Sequence, residues 1–332
     1  MPRLLYDTVL DHYYLRLRNN CYAVVVGNNH ERYAVLSYVK YCPGSAETPW
    51  RDSFSRLERV VAKYDPVEVR RRVLKQVFVP FYDSAVPCVG ELEIERVYNP
   101  VLRARELLTR VRDRLEVVAA SMTHALLQVA GLDSLGVTGS VLPSIHNPET
   151  SDVDMVVYGW RDSASVIEFV SENKSLFQPF SETRLRSWAE TNAEATSLTK
   201  SEVLKYYRNY RRGVFHGTEY SIIYNSGVPG SLLNLPSFKT MGIAAVQVDV
   251  EGGLDALNYP TTGRVTRWRQ VEGATPPMDI REVMSFEATY IPLFYEGGRA
   301  VARGLLQCSD TAGYCRVLVG GQEYRGSVIW VG

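Results

Sequence analysis

The chain has 332 residues, carries 37 Lys and Arg against 37 Asp and Glu, and is 45% hydrophobic and 22% charged. That length predicts two or three domains with ample core, and that balance excludes a disordered chain or a coiled coil. Zero net charge argues against a protein coated by nucleic acid through bulk charge, while leaving local patches open.

No run of about 18 apolar residues is present, so no membrane span is expected. The first 18 residues lack a secretory pattern, and the five cysteines are scattered without a Cys-x-x-Cys pair. These features predict a cytoplasmic protein with cysteines acting mainly as small buried hydrophobes, leaving open a Cys308–Cys315 bridge in a hyperthermophile. Arginine outnumbers lysine 30 to 7, which fits a GC-rich genome as well as heat adaptation.

Taken in order, residues 12–18, 21–27 and 32–41 read as strands, the last two joined at Asn28-Asn29. A helical pair is expected at 54–64 and 66–75, then an extended stretch and a strand at 91–98. From Pro100 to about Val129, apolar residues step by three and four along one face, predicting one long helix that Gly131 ends. Strands follow at 135–138 and 153–158, with helices at 163–172 and 199–212. The last opens on a Thr199-Lys200-Ser201-Glu202 capping box. Five short β runs within 241–332 predict a small sandwich or barrel. The expected organisation is an N-terminal hairpin with helices (1–98), an α/β core (99–240) and an all-β C-terminal domain (241–332).

The chemistry concentrates in GVTGSVLPSIHNPETSDVDMVVYG, residues 136–159. Asp152 and Asp154 lie at i and i+2 in an apolar run that reads as a buried strand, so both carboxylates face one side, roughly 6.6–7 Å apart. Such a pair is costly without a cation, and oxygen donors at a strand end suit Mg²⁺. Upstream, Gly139-Ser140 follows a strand and precedes an expected short helix, an arrangement whose amides and hydroxyl bind phosphate.

Gly139-Ser140 followed by Ser151-Asp152-Val153-Asp154-Met155-Val156-Val157 resembles the signature of the DNA polymerase β-type nucleotidyltransferase superfamily. The whole chain is also similar to crenarchaeal nucleotidyltransferase-domain proteins, over 22–41, 137–159, 211–219 and 283–304. The resemblance implies a mixed-sheet polymerase-β-like core and two Mg²⁺ ions, with Mn²⁺ as a substitute. It implies three carboxylates as catalytic metal ligands, a nucleoside triphosphate as donor and a hydroxyl acceptor, RNA or DNA being favoured. On this reading Asp152 and Asp154 are the first two ligands, and Gly139, Ser140 and Ser151 belong to the nucleotide site. One departure is Pro143-Ser144, where the superfamily commonly has glycine four residues beyond the serine.

Two residues compete for the third carboxylate, with the absence of any third ligand left open. Glu219 shares a face with Ser221 and Ile223 on the 219–224 strand; Asp249 lies in the strand at 245–250. Glu219 is preferred because its strand can lie beside Asp-x-Asp in one sheet. On the 199–212 helix, Lys205, Arg208 and Arg212 would share a face, with Arg211 nearby and Tyr206, Tyr207 and Tyr210 interleaved. Lys205 and Arg212 are the expected nucleotide contacts. His146 and His216 receive no role. In the C-terminal region, Arg264, Arg267, Trp268, Arg269, Arg299 and Arg303 form a candidate nucleic-acid face. No Walker loop, Gly-x-Gly-x-x-Gly, nucleophile elbow or His-Glu-x-x-His occurs. The reading is thus a Mg²⁺-dependent nucleotidyltransferase, with a non-catalytic nucleotide- or nucleic-acid-binding protein as the alternative.

Overall fold

The computed structural model describes residues 8–45, 47–60, 75–321 and 323–331. It is a mixed α/β protein with several sheets, one of them a closed five-stranded barrel. The chain forms two compact units interleaved in sequence: residues 1–63, 87–180 and 208–231, and residues 64–86, 181–207 and 232–332. These boundaries differ from the expected breaks near 98 and 240, because the first strands and the Asp-x-Asp strand share a core.

In the first unit, β1 (Tyr14–Leu17), β2 (Tyr22–Val25), β3 (Val35–Pro43), β4 (Leu57–Arg59) and β5 (Ile94–Tyr98) make an antiparallel sheet. The order is β5-β1-β2-β3, with β4 also paired to β3. Period-two alternation divides its side chains. Leu15, Leu17, Ala23 and Val25 join a core with Val156 and Tyr158, while Tyr14, Tyr22, Val24 and Tyr41 pack with Leu142 and Ile145. Residues 57–59 are strand where a helix over 54–64 was expected. Residues 66–74 of its expected companion lie outside the described residues.

The long helix is two helices, α1 (Pro100–Thr109) and α2 (Arg114–Leu126). Asn99 caps the first; Asp113 restarts the second by accepting from the Glu116 amide. Apolar periodicity runs across the break, but Val111 lies exposed within it.

The second sheet comprises β6 (Leu135–Val137), β7 (Val153–Tyr158), β8 (Phe177–Gln178), β9 (Arg212–Phe215) and β10 (Thr218–Asn225), ordered β8-β9-β10-β7-β6. β7 and β10 are parallel, the other pairs antiparallel. The α3 helix (Trp160–Glu172) follows β7 and packs on it. Gly136 of β6 accommodates Pro100 and Val156; a Cβ there would collide with both.

In the second unit, β11 (Lys239–Glu251), β12 (Thr261–Gly273), β13 (Ile280–Ser285), β14 (Gly298–Ser309) and β15 (Tyr314–Val319) close a ring through the β11–β14 pairing. β16 (Ser327–Trp330) adds to β14. This is the expected barrel, with an additional strand, β13, that pairs in parallel with β15. A 15-residue helix, α4 (Glu182–Thr196), escapes the sequence reading because Trp188, Ala189 and Thr196 are its buried residues and no apolar stripe marks it. The Thr199–Glu202 capping box forms, but α5 covers Lys200–Leu204 only.

Four cysteines are bridged, Cys21 to Cys42 and Cys308 to Cys315, and Cys88 is free and buried. This corrects the expectation of small buried thiols. Cys308 and Cys315 face each other across adjacent strands, a pairing that sequence spacing alone does not dictate. Among the described residues, no helix is long and apolar enough to cross a membrane.

Candidate functional site

Asp152 immediately precedes β7 and Asp154 is its second residue. The parallel register places Asp154 beside Ser221 and Val153 beside Tyr220, so Glu219 comes level with Asp152. On the far side of β10, Ser221 pairs with Arg212. Arg212, Ser221 and Asp154 therefore form one cross-strand row, with Glu219 and Asp152 in the next position on that face. Ser221 Oγ donates to Asp154 Oδ1.

The Gly139-Ser140 turn presses against Asp154 from β6. Gly139 has φ +64°, and a Cβ would meet Asp154 Oδ2, so both conformation and space require glycine. The Thr138 amide donates to the Asp154 carbonyl at 2.8 Å. No helix follows: residues 139–144 are consecutive turns closed by the Ile145 amide on Ser140 O at 3.0 Å. The expected helix dipole at Ser140 is therefore absent, leaving the backbone turn and a largely buried Ser140. Ser144 adopts φ +58°, a left-handed conformation that glycine takes more readily than serine.

These groups open into a cleft of about 600 Å³ lined by Ser140, Ser151, Asp152, Asp154 and Glu219. Lys40, Tyr41 and Arg59 of the N-terminal sheet, with Trp50 of the segment between β3 and β4, also line it. The ring of Trp50 lies 4.7 Å from the Arg59 guanidinium, and Lys40 Nζ donates to Tyr14 Oη at 3.0 Å. Burial opposes the Lys40 ammonium, yet Tyr38, Tyr41 and the Asp154 carboxylate hold its pKa above the ordinary value. Sequence reasoning missed these cations. Lys40 is the extra residue of a β-bulge, since Tyr22 pairs with Tyr41 but Ala23 with Val39. Strict alternation would not place both Lys40 and Tyr41 on this face.

Ser151 closes the approach loop, its Oγ accepting from the Asn147 amide at 3.1 Å. Arg212 opens strand β9 rather than ending a helix. It does not line the cleft, although its charge stabilises ionised Asp152. Lys205 does not line the cleft. It belongs to the second unit, and its Nζ donates to the Trp330 carbonyl at 3.0 Å. The helix ends before it because Lys205, Tyr206 and Tyr207 bond in tight turns. Asp249, the rival third carboxylate, is a barrel residue paired with Arg299 at 2.9 Å. The barrel arginines are likewise engaged: Arg264 with Glu251, Arg269 with Gln247 and Arg303 with Glu272. That neutralises much of the expected basic face.

The neighbouring Asp154 charge, then burial, push the Asp152 carboxyl up to about 6, against opposing contributions from Arg212 and Lys40. The folded chain therefore binds this proton more tightly than the unfolded chain between about pH 4 and 6. On that account the metal-free protein loses stability as pH rises through the window. Other carboxylates shift the opposite way, so the expected result is a difference: Asp152→Asn should make the slope of Tm against pH more positive than in wild type over about pH 4–6. Divalent-cation affinity of the wild type should fall as the pH drops below about 6. Melting curves and calorimetry across that range check both; an Asp152→Asn profile parallel to wild type contradicts the assignment.

The donors facing the cleft are carboxylate and hydroxyl oxygens, without thiolate or imidazole, which fits Mg²⁺ or Mn²⁺. Among the described residues, Asp113, Glu116 and His146 bring three ligand atoms within 4.8 Å of one another, and the cleft carboxylates do not converge so closely. The Asp113–Glu116–His146 group already has a cation. Arg103 bonds Glu116, and Asp113 Oδ2 lies 3.0 Å from His146 Nε2.

The chain is 26% identical over 198 residues to the uncharacterized protein MJ1086 of Methanocaldococcus jannaschii, a match covering 57% of this chain and 56% of the relative. No family model and no solved structure matches.

Proposed function

We propose that the protein is a divalent-metal-dependent nucleotidyltransferase with a polymerase-β-like core. The observation carrying this reading is the row of Asp154, Ser221 and Arg212, with Asp152 level with Glu219 and the Gly139-Ser140 turn pressed onto Asp154. Asp152, Asp154 and Glu219 would hold the ions. Bound there, Mg²⁺ would neutralise the triphosphate and activate the acceptor hydroxyl. Ser140 and the adjacent turn face the phosphates, and Lys40 and Arg59 supply positive charge across the cleft. The acceptor oxygen forms a bond to the α-phosphorus, the bond to the β-phosphate breaks, and pyrophosphate and the hydroxyl proton are released. Ser221 positions Asp154 by its hydrogen bond.

The test is incubation with α-labelled nucleoside triphosphates, Mg²⁺ or Mn²⁺, and separate RNA, DNA and protein acceptors. Label transferred to an acceptor, and lost with EDTA, is expected. Tight retention of triphosphate without transfer would instead establish a nucleotide-binding protein, a reading favoured by the cleft carboxylates not converging as closely as Asp113, Glu116 and His146 do.

A further inference from the structure

The N-terminal sheet carries a second feature on the face that supplies Lys40 and Arg59. Arg96 faces Arg16, Arg16 faces Tyr22, Tyr22 faces Tyr41, and Tyr41 faces Arg59. Five strands spaced by ~4.8 Å make this a line of roughly 19 Å. The turn after Gly139 lies across its middle, Leu142 and Ile145 covering Tyr14, Tyr22 and Tyr41. One end of the line is in the carboxylate cleft. The other opens into a separate cleft of about 440 Å³, which Pro143 and Ser144 of the same turn also line.

This second cleft is built against its own charge. Arg16 and Arg96 are directly opposite on adjacent strands, a destabilising placement for like charges. Arg103 and Arg112 add two more cations to the wall, both paired with Glu106. Glu95 lies 3.4 Å from Arg16, yet the Arg16 Nε makes no hydrogen bond. Asp52 and Glu106 also line the cleft. Asp52 is occupied by the amides of Phe54 and Ser55 and by Tyr22 Oη, and Glu106 by Arg103 and Arg112. At the rim, Phe54 is 81% exposed, with the Arg16 guanidinium 5.5 Å from its ring. Arg96 lies 4.8 Å from the ring of Tyr98. Arginines interleaved with an accessible aromatic ring match phosphate together with a stacking base better than an acidic peptide, which offers carboxylates but no ring.

We propose that this second cleft holds a nucleotide unit of a single-stranded polynucleotide whose end reaches the carboxylate cleft, so that the acceptor is a nucleic-acid strand. The proposal deepens the transferase reading and rests on it for the word acceptor. The turn after Gly139 would then serve both ligands, facing the triphosphate on one side and the strand on the other.

Binding of a fluorescein-labelled RNA 12-mer in EDTA, followed by anisotropy at several salt concentrations, reads this cleft without the metal site. Arg96→Glu, at an exposed position, and Arg16→Ala are each expected to weaken RNA binding about tenfold or more and to lower the salt slope by about 1. Binding of Mg²⁺-triphosphate, followed by calorimetry, should be unchanged in both. Wild-type RNA affinity in Arg96→Glu overturns the proposal, as does equally tight binding of a mononucleotide or competition by an acidic peptide. RNA retention through Arg96 with no triphosphate binding would remove the transferase reading and leave the strand-binding cleft standing.

Discussion

Replacing Asp154 with asparagine is expected to lower nucleotidyl transfer on the order of 10³-fold while leaving the fold intact. The substitution is nearly isosteric and keeps Oδ1 as acceptor for the Ser221 hydroxyl. It removes the charge that a divalent ion needs between β6 and β10, so cation affinity should fall with activity. A second consequence separates this site from a merely structural carboxylate. Because Asp154 is the largest cause of the raised Asp152 pKa, Asp154→Asn should return the Asp152 titration from about 6 toward the ordinary value of about 3.9. Carboxyl-carbon NMR with and without the substitution measures that directly. Undiminished transfer, or an Asp152 titration still near 6, would remove Asp154 from the site.

What the sequence disclosed of this site is local. Asp152 and Asp154 sit two apart on one strand, and Glu219 and Ser221 two apart on another, so alternation alone places each pair on one face. The parallel register then brings the two pairs level. What stayed hidden depends on exceptions to periodicity. Lys40 reaches the cleft through a bulge, and no residue type announces a bulge in that run. The single helix expected through 100–129 breaks because Asp113 caps a new start, although the apolar spacing continues through Val111. The helix expected through 199–212 gives way after Leu204, which detaches Lys205 from Arg212 and dissolves the predicted basic face. Register is decided by partners far along the chain, and a local cap can restart a helix without interrupting the apolar spacing, whereas face sharing is decided within a few residues.

The second large effect is on stability, at Glu116. Its side chain is 1% exposed and bonds Arg103, itself 4% exposed, while its other oxygen accepts the Arg112 amide at 2.8 Å. Arg103 also pairs with Glu106 at 2.8 Å and donates from Nε to the Val141 carbonyl at 3.1 Å. One buried guanidinium thus ties the break between α1 and α2 to the turn that carries Ser140. Glu116→Gln would leave that guanidinium facing a neutral amide, with the half-exposed Glu106 as its remaining carboxylate partner. Breaking a buried pair from one side costs about 3–5 kcal/mol, which for a unit of this size lowers Tm by on the order of 10 °C. Arg103→Met combined with Glu116→Leu removes both charges and should recover most of that loss. If the Asp113–Glu116–His146 group instead held a metal ion, EDTA would lower the wild-type Tm, and the double substitution would be as harmful as the single one. Calorimetric melting of the three proteins with and without EDTA decides between a guanidinium and a metal as the cation at this junction. An Asp152→Asn background keeps the cleft's own metal out of the comparison.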